Sequence, residues 1–198
     1  MWVQVIQGKV KDPAGLQKQM DRWREELRPD AKGFLGSTGG VSEDGQFITV
    51  ARFDSKELAM VNSNDPKQSE WWEETSQYLD DVVFHDCDTV DTWMGGGSDD
   101  AGFVQIMQFK TSDYDKLNEM MSSGDESAMK DFRPDMLGGT SAYDGEVVTQ
   151  VVYFTNEAEA REGEKKETPP EMKEWDEAAA SLMQDAKFID LRDPDFVS

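Results

Sequence analysis

The sequence predicts an α+β protein made of two tandem ferredoxin-like units, each β-α-β-β-α-β, and three observations support this. The first is a duplication. Val3-Gln4-Val5-Ile6-Gln7-Gly8-Lys9 returns as Val104-Gln105-Ile106-Met107-Gln108-Phe109-Lys110, an offset of 101. Arg28-Pro29-Asp30 returns as Arg133-Pro134-Asp135, Leu35-Gly36-Ser37-Thr38 as Leu137-Gly138-Gly139-Thr140, and Phe84 with Asp86 as Phe188 with Asp190. A repeat of this length is a domain rather than a solenoid unit. The second observation is that the apolar period switches, within each copy, between the alternation of strands and the stripe of helices. The third is Gly95-Gly96-Gly97-Ser98-Asp99-Asp100, an apolar-free stretch between the copies. The expected units are 1–94 and 102–198, joined by a linker over 95–101.

Residues 2 to 10 interleave valine, isoleucine and tryptophan with glutamine, which reads as a strand buried on both faces. Asp12-Pro13 starts a helix whose Leu16, Met20, Trp23 and Leu27 form one stripe, and Arg28-Pro29 ends it. Gly33-Phe34-Leu35-Gly36 leads a second strand, which turns at Glu43-Asp44-Gly45 into a third over Phe47 to Phe53, since Asp-Gly between two such runs is a hairpin signal. Ser55 to Val61 begins a helix, interrupted at Asn62-Ser63-Asn64. Asp65-Pro66-Lys67-Gln68 then supplies an N-cap, a proline at the first helical position and a glutamine three residues after the cap. A helix through Trp71, Trp72 and Leu79 follows, and Val82 to Val90 makes the last strand.

The second copy keeps this order. Ser122-Ser123-Gly124-Asp125 interrupts its first helix with four extra residues, about one helical turn, so a break is expected there. Thr168-Pro169-Pro170-Glu171 reads as the restated capping box. A tryptophan follows each cap by seven positions, pairing Trp72 with Trp175.

A unit of this topology lays both helices on one sheet face and leaves the other bare. In the last strand, His85 and Cys87 alternate with Phe84, so both faces carry apolar residues. The bare face requires a second sheet, and the duplicate supplies one. The expected architecture is two units packed sheet to sheet, an intrachain pseudo-dimeric α+β barrel. Such a chain is complete as a monomer and leaves room for a further homodimer.

Composition narrows the function. With 42 acidic and 20 basic residues the formal charge is −22, which repels nucleic-acid phosphate and anionic membrane surfaces. Cys87 is the only cysteine, so no intrachain disulfide forms and a reducing, cytoplasmic setting is expected. No signal peptide and no apolar run of membrane-spanning length is found. Phosphate-loop, dinucleotide and Gly-x-Ser-x-Gly motifs are lacking. Asp86, Asp88 and Asp91 lack the compact spacing of a calcium loop, so no metal is expected.

Gly33-Phe34-Leu35-Gly36, then Ser42-Glu43-Asp44-Gly45, then Ala51-Arg52-Phe53-Asp54-Ser55-Lys56-Glu57-Leu58-Ala59 resembles the dimeric α+β barrel superfamily, in particular the antibiotic-biosynthesis-monooxygenase-like domains. The resemblance covers each half nearly end to end, the first more clearly, and extends to two-domain actinobacterial proteins. Its motifs speak for the fold rather than a reaction. It implies relatives that include cofactor-independent oxygenases and haem-degrading enzymes. The latter use an asparagine on the first strand with a tryptophan and a histidine on the second helix. Here the strand has glutamines and the helix lacks histidine, which disfavours haem, and no cofactor is expected.

His85 is the only histidine and the one side chain whose ordinary pKa suits acid–base work near neutrality. The alternative is a half-buried histidine bonded to backbone. Arg52, within a strand, suits a ligand anion or a carboxylate partner. Gln4, with Gln7, Gln105 and Gln108, must find partners inside the sheet, a ligand or one another. Trp71 and Trp72 suit either ring stacking or core packing. Asn62 is a further polar candidate, and asparagine also breaks helices.

The expected function is binding of an apolar or aromatic small molecule. If the protein is an enzyme, the resemblance implies a cofactor-independent monooxygenase in which His85 deprotonates a phenol, Arg52 or Gln4 stabilises the anion and Trp71 stacks the ring. The alternative is a non-catalytic interaction protein with a filled pocket and an acidic surface. Because His85 faces Ile189 and Arg52 faces Tyr153 in the alignment of the copies, a site is expected in the first half.

Overall fold

The computed structural model describes residues 1–198, apart from the side chain of Glu171. Two compact units form: residues 1–90 together with 193–198, and residues 91–192. Each has a five-stranded antiparallel sheet, with the strands in the order 195–197, 34–41, 46–53, 2–10 and 79–87 in the first unit and 89–93, 136–144, 147–154, 103–110 and 184–191 in the second. Four consecutive strands of each sheet, ending at one edge, and the accompanying helices realise the expected β-α-β-β-α-β order twice.

In unit 1, β1 (Trp2–Val10) is followed by α1 (Pro13–Arg22), β2 (Phe34–Val41), β3 (Gln46–Phe53), α2 (Lys56–Ser63), α3 (Pro66–Ser76) and β4 (Leu79–Cys87). The Asp12 carboxylate accepts from the Ala14 and Gly15 N–H groups, which explains where α1 begins. The expected single stripe through Leu27 is instead split. α1 gives way to a π-helical turn over Trp23–Leu27 and a 3₁₀ turn over Arg28–Asp30. Asp65 caps α3 through the Lys67 N–H, but Gln68 does not complete the reciprocal box, because its amide oxygen accepts from Trp23 Nε1 at 3.0 Å.

Register separates the two sheet faces. Directly opposed residues project to the same side, so Trp2, Gln4 and Ile6 of β1 share a face with Phe53, Ala51 and Thr49 of β3. This is the helix face, where Trp2, Phe53 and Ala59 form one apolar cluster and Leu16, Phe47 and Leu79 another. Val3, Val5, Ile48 and Val50 on the other face are also buried, as a strand apolar on both sides requires.

Unit 2 contains β5 (Thr89–Trp93), β6 (Phe103–Lys110), α4 (Tyr114–Ser123), α5 (Glu126–Phe132), β7 (Met136–Asp144), β8 (Val147–Phe154), α6 (Glu157–Glu164), α7 (Pro170–Leu182) and β9 (Gln184–Leu191); β5 begins at the end of unit 1. The four inserted residues end α4, and Asp125 caps α5 by accepting from Ser127 and Ala128 N–H. Thr168 is not the cap of α7. Pro169 holds that position without a side-chain bond, and the Thr168 hydroxyl donates to Asp176. The part expected of the Glu171 side chain lies outside the described residues.

Two details depart from the sequence expectation. Within the glycine stretch Gly96 is buried while Gly95 and Gly97 are exposed: Gly138 has a left-handed φ of +151°, and a Cβ there would lie 2.3 Å from the Gly96 carbonyl oxygen. Beyond the second copy, Asp195–Val197 forms β10, paired antiparallel with β2 through Asp195 with Gly39 and Val197 with Ser37. The chain's last six residues therefore belong to unit 1.

Candidate functional site

Unit 1 has a cavity of about 330 Å³ between the helix face of its sheet and its helices, at the lower end of the range for small-molecule sites. Its wall is aromatic. Trp72 and Trp71 have ring centroids 6.0 Å apart, Trp71 and Trp23 6.4 Å, Trp23 and Phe34 5.0 Å, and Phe34 and Phe53 5.6 Å. These side chains come from α3, the π turn, β2 and β3. The π turn matters because it places Trp23 and Arg24 at the cavity, and extra backbone width at such a turn is a recurring feature of functional sites.

The polar lining is largely committed. Gln4 Nε2 donates to Asp86 Oδ1 at 2.9 Å, and Gln105 repeats the contact with Asp190 at 3.0 Å, so this amide is part of the scaffold of both units. Asn62 accepts from Lys32 N–H and donates to the Lys32 carbonyl, both at 2.8 Å, holding the 3₁₀ exit of the first helix against α2. Arg24 pairs with Asp195 of β10 and with Asp21. Apart from Arg24, the ionisable lining groups are Asp193 and Asp195.

The structure brings Gln4, Asn62, Trp71 and Trp72 to this cavity but not His85 or Arg52. His85 is paired with Val5 and Arg52 with Val3, which puts both on the face opposite the helices. Arg52 donates to Thr38 Oγ1 at 3.3 Å on that face. Sequence alternation had already set His85 apart from Phe84. What it lacked was the register that gives Phe84, opposite Ile6, to the helix side.

The pairing of tryptophans also changes. Trp71 Nε1 donates to the Gln19 carbonyl at 2.8 Å, and Trp175 Nε1 donates to the Met120 carbonyl at 3.0 Å, one helix across in each unit. Trp71 is thus the counterpart of Trp175 and is buried. Trp72 is half-buried and packs edge-on against Phe84 at 5.1 Å.

Sequence reasoning missed Trp23, Phe34 and the Arg24–Asp195 pair, and it missed a second cavity. Unit 2 has one of about 590 Å³, lined by Trp93, Trp175, Gln150 and seven of the chain's eleven methionines. Phe34 is replaced there by Met136 and Ile6 by Met107 at the same sheet positions. A filled pocket, which the non-catalytic alternative requires, is found in neither unit. Among the described residues no cluster of metal-ligating side chains occurs, and no helix is long and apolar enough to cross a membrane.

No protein-family model matches the sequence, and no curated protein does. Solved structures do match in fold. A candidate monooxygenase from Lactobacillus acidophilus superposes with a TM-score of 0.71 at 12% identity, over 100% of this chain and 99% of that one. A candidate monooxygenase from Fusobacterium nucleatum gives 0.75 at 10% identity, over 96% and 90%. An anthrone oxidase-like protein gives 0.70 at 9% identity, over 96% and 89%. The chain has a ferredoxin-like α+β fold, present twice, and shares it with these solved structures. At these identities the likeness concerns the fold, and function must be argued from the site.

Proposed function

We propose that the cavity of unit 1 binds an apolar, aromatic small molecule. The supporting observation is the run of five rings from Trp72 to Phe53 around an open volume. Aromatic faces and edges favour a planar guest by offset or edge-on contact, and the committed amides leave little to recognise a polar one. Titration calorimetry with 1-naphthol tests this. Wild type binds, and Ala51→Phe, which places a ring where a short side chain lines the cavity, abolishes binding while the fold is kept. Equal binding by both would overturn the proposal.

A second reading, cofactor-independent monooxygenase, is favoured by the fold shared with two candidate monooxygenases and an anthrone oxidase-like protein. A phenolic substrate with an adjacent activated CH₂ would lose a proton, and its carbanion would pass electrons to O₂. One oxygen atom enters as a carbonyl and the other leaves as water. With His85 across the sheet, proton transfer falls to Asp193 or Asp195 at the cavity. Oxygen uptake with anthrone that is lost in Asp193→Asn or Asp195→Asn and kept in His85→Ala supports this reading. Uptake that follows His85 instead would refute it.

A further inference from the structure

We propose that β10 is a strap at the wall of the unit 1 cavity, latched by the Arg24–Asp195 pair, and that a guest enters and leaves when this latch parts. The inference rests on the reading that the cavity takes a small apolar guest. Side chains two apart on an extended segment share a side, and Asp193, Asp195 and Val197 all line the cavity. Arg24 lines it from the π turn that follows α1. β10 belongs to the sheet and the π turn to the helix layer, so the Arg24–Asp195 pair ties the two layers together at the cavity wall. The helix layer has ties of its own, Trp23 Nε1 to Gln68 and Trp71 Nε1 to the Gln19 carbonyl. The seam that can open therefore lies along the strap.

Three features make the contact one that opens at low cost. First, β10 has three residues, all half-buried, and stands at the edge of its sheet, paired with β2 alone. Segments with so few buried contacts lie at the low end of local stability. β2 receives the strap at Gly36, where a Cβ would lie 2.8 Å from the Val197 carbonyl oxygen, so backbone lies against backbone there. Second, the latch is wet. The Arg24 and Asp195 side chains are 28% and 40% exposed, and an ion pair in contact with water is weak and screened by salt. Third, Arg24 has another partner, since its Nη1 donates to Asp21 Oδ1 at 2.7 Å. When Asp195 departs, the guanidinium keeps one carboxylate and Asp195 passes into water. Opening strands no charge.

Such a gate sets how fast a guest enters and leaves, not how tightly it is held, because the open fraction multiplies both rates. Stopped-flow fluorescence with 1-naphthol measures the two rates. This probe is uncharged at neutral pH, so salt acts on the latch rather than on the encounter. Arg24→Gln is expected to raise association and dissociation together by roughly two- to fivefold, the worth of an exposed ion pair, with Kd unchanged. Arg24→Lys should restore the slower rates, and added salt should quicken the wild type but not Arg24→Gln. Amide hydrogen exchange over residues 195–197, read without a guest and relative to β1, should quicken in Arg24→Gln by the same factor. Rates unaltered by Arg24→Gln, or a change carried by Kd alone, would overturn the proposal. If 1-naphthol does not bind, the reading of the cavity fails by itself and the exchange decides on the latch: equal exchange in wild type and Arg24→Gln refutes it. Should Arg24→Gln fail to fold, the wild-type exchange at rising salt decides, quickening in support and constancy against.

Discussion

Trp71→Phe should destabilise the protein by about 2 kcal/mol, whereas Trp72→Phe should cost less than about 1 kcal/mol. Trp71 is 6% exposed and its Nε1 donates to the Gln19 carbonyl across the helix pair. That carbonyl also accepts from the Trp23 N–H at the end of α1, so it is not stranded when the indole is lost. The hydrogen bond then contributes near the middle of its usual range, about 1 kcal/mol. Trimming indole to phenyl in a packed wall adds roughly another 1 kcal/mol. Trp72 has no comparable bond, and its ring contacts are to Trp71 and to Phe84, itself 44% exposed. Urea unfolding of the two variants and of Trp175→Phe measures this, with Trp175→Phe expected to match Trp71→Phe. A larger loss for Trp72→Phe than for Trp71→Phe would refute the equivalence of Trp71 and Trp175.

Three further outcomes follow from the packing. Asp135→Ala strands the buried Arg133 guanidinium, held bidentately by that carboxylate above Gly163, and should cost about 3–5 kcal/mol in urea unfolding. Its repeat partner Asp30 is exposed, and Asp30→Ala should stay within about 0.5 kcal/mol. Burial, with the Asp91 charge beside it, holds the Tyr143 phenol well above its ordinary value near 10. A raised folded-state value makes the stabilisation full below the unfolded pKa. It is lost as pH rises past about 10, where the unfolded phenol ionises first. Ultraviolet titration should therefore show Tyr143 ionising only with unfolding, read as a signal missing from a Tyr143→Phe variant. Gly139→Val drives a side chain into the Trp93 ring and should change Trp93 fluorescence and lower thermal stability; an unchanged spectrum and midpoint would count against the packing described for β5.

The duplicated strands were legible because alternation and offset agree: Gln4 opposite Asp86 and Gln105 opposite Asp190 occupy one register position in both sheets. The break before α5 was legible because four inserted residues cannot be absorbed into a continuous helical stripe. The tryptophan pairing was not, because it was counted from Thr168, and the true cap position is Pro169. β10 was hidden since three residues beyond the repeat show too little alternation to read as a strand. The methionine cavity was hidden for a chemical reason: methionine fills cores and lines sites alike, and only the fold shows that seven of them converge. His85 attracted attention as a residue type, but acid–base competence requires reach to the substrate, and β-register sends it to the other face.

The central claim, an aromatic guest inside unit 1, is tested most directly by nuclear Overhauser contacts between 1-naphthol and the Met20 methyl, which lines that cavity. Strong contacts are expected from the naphthol ring protons to Met20 and to the indole protons of Trp23 or Trp71. Contacts to the exposed Phe84 and Val83 side chains, with none to Met20, would contradict it.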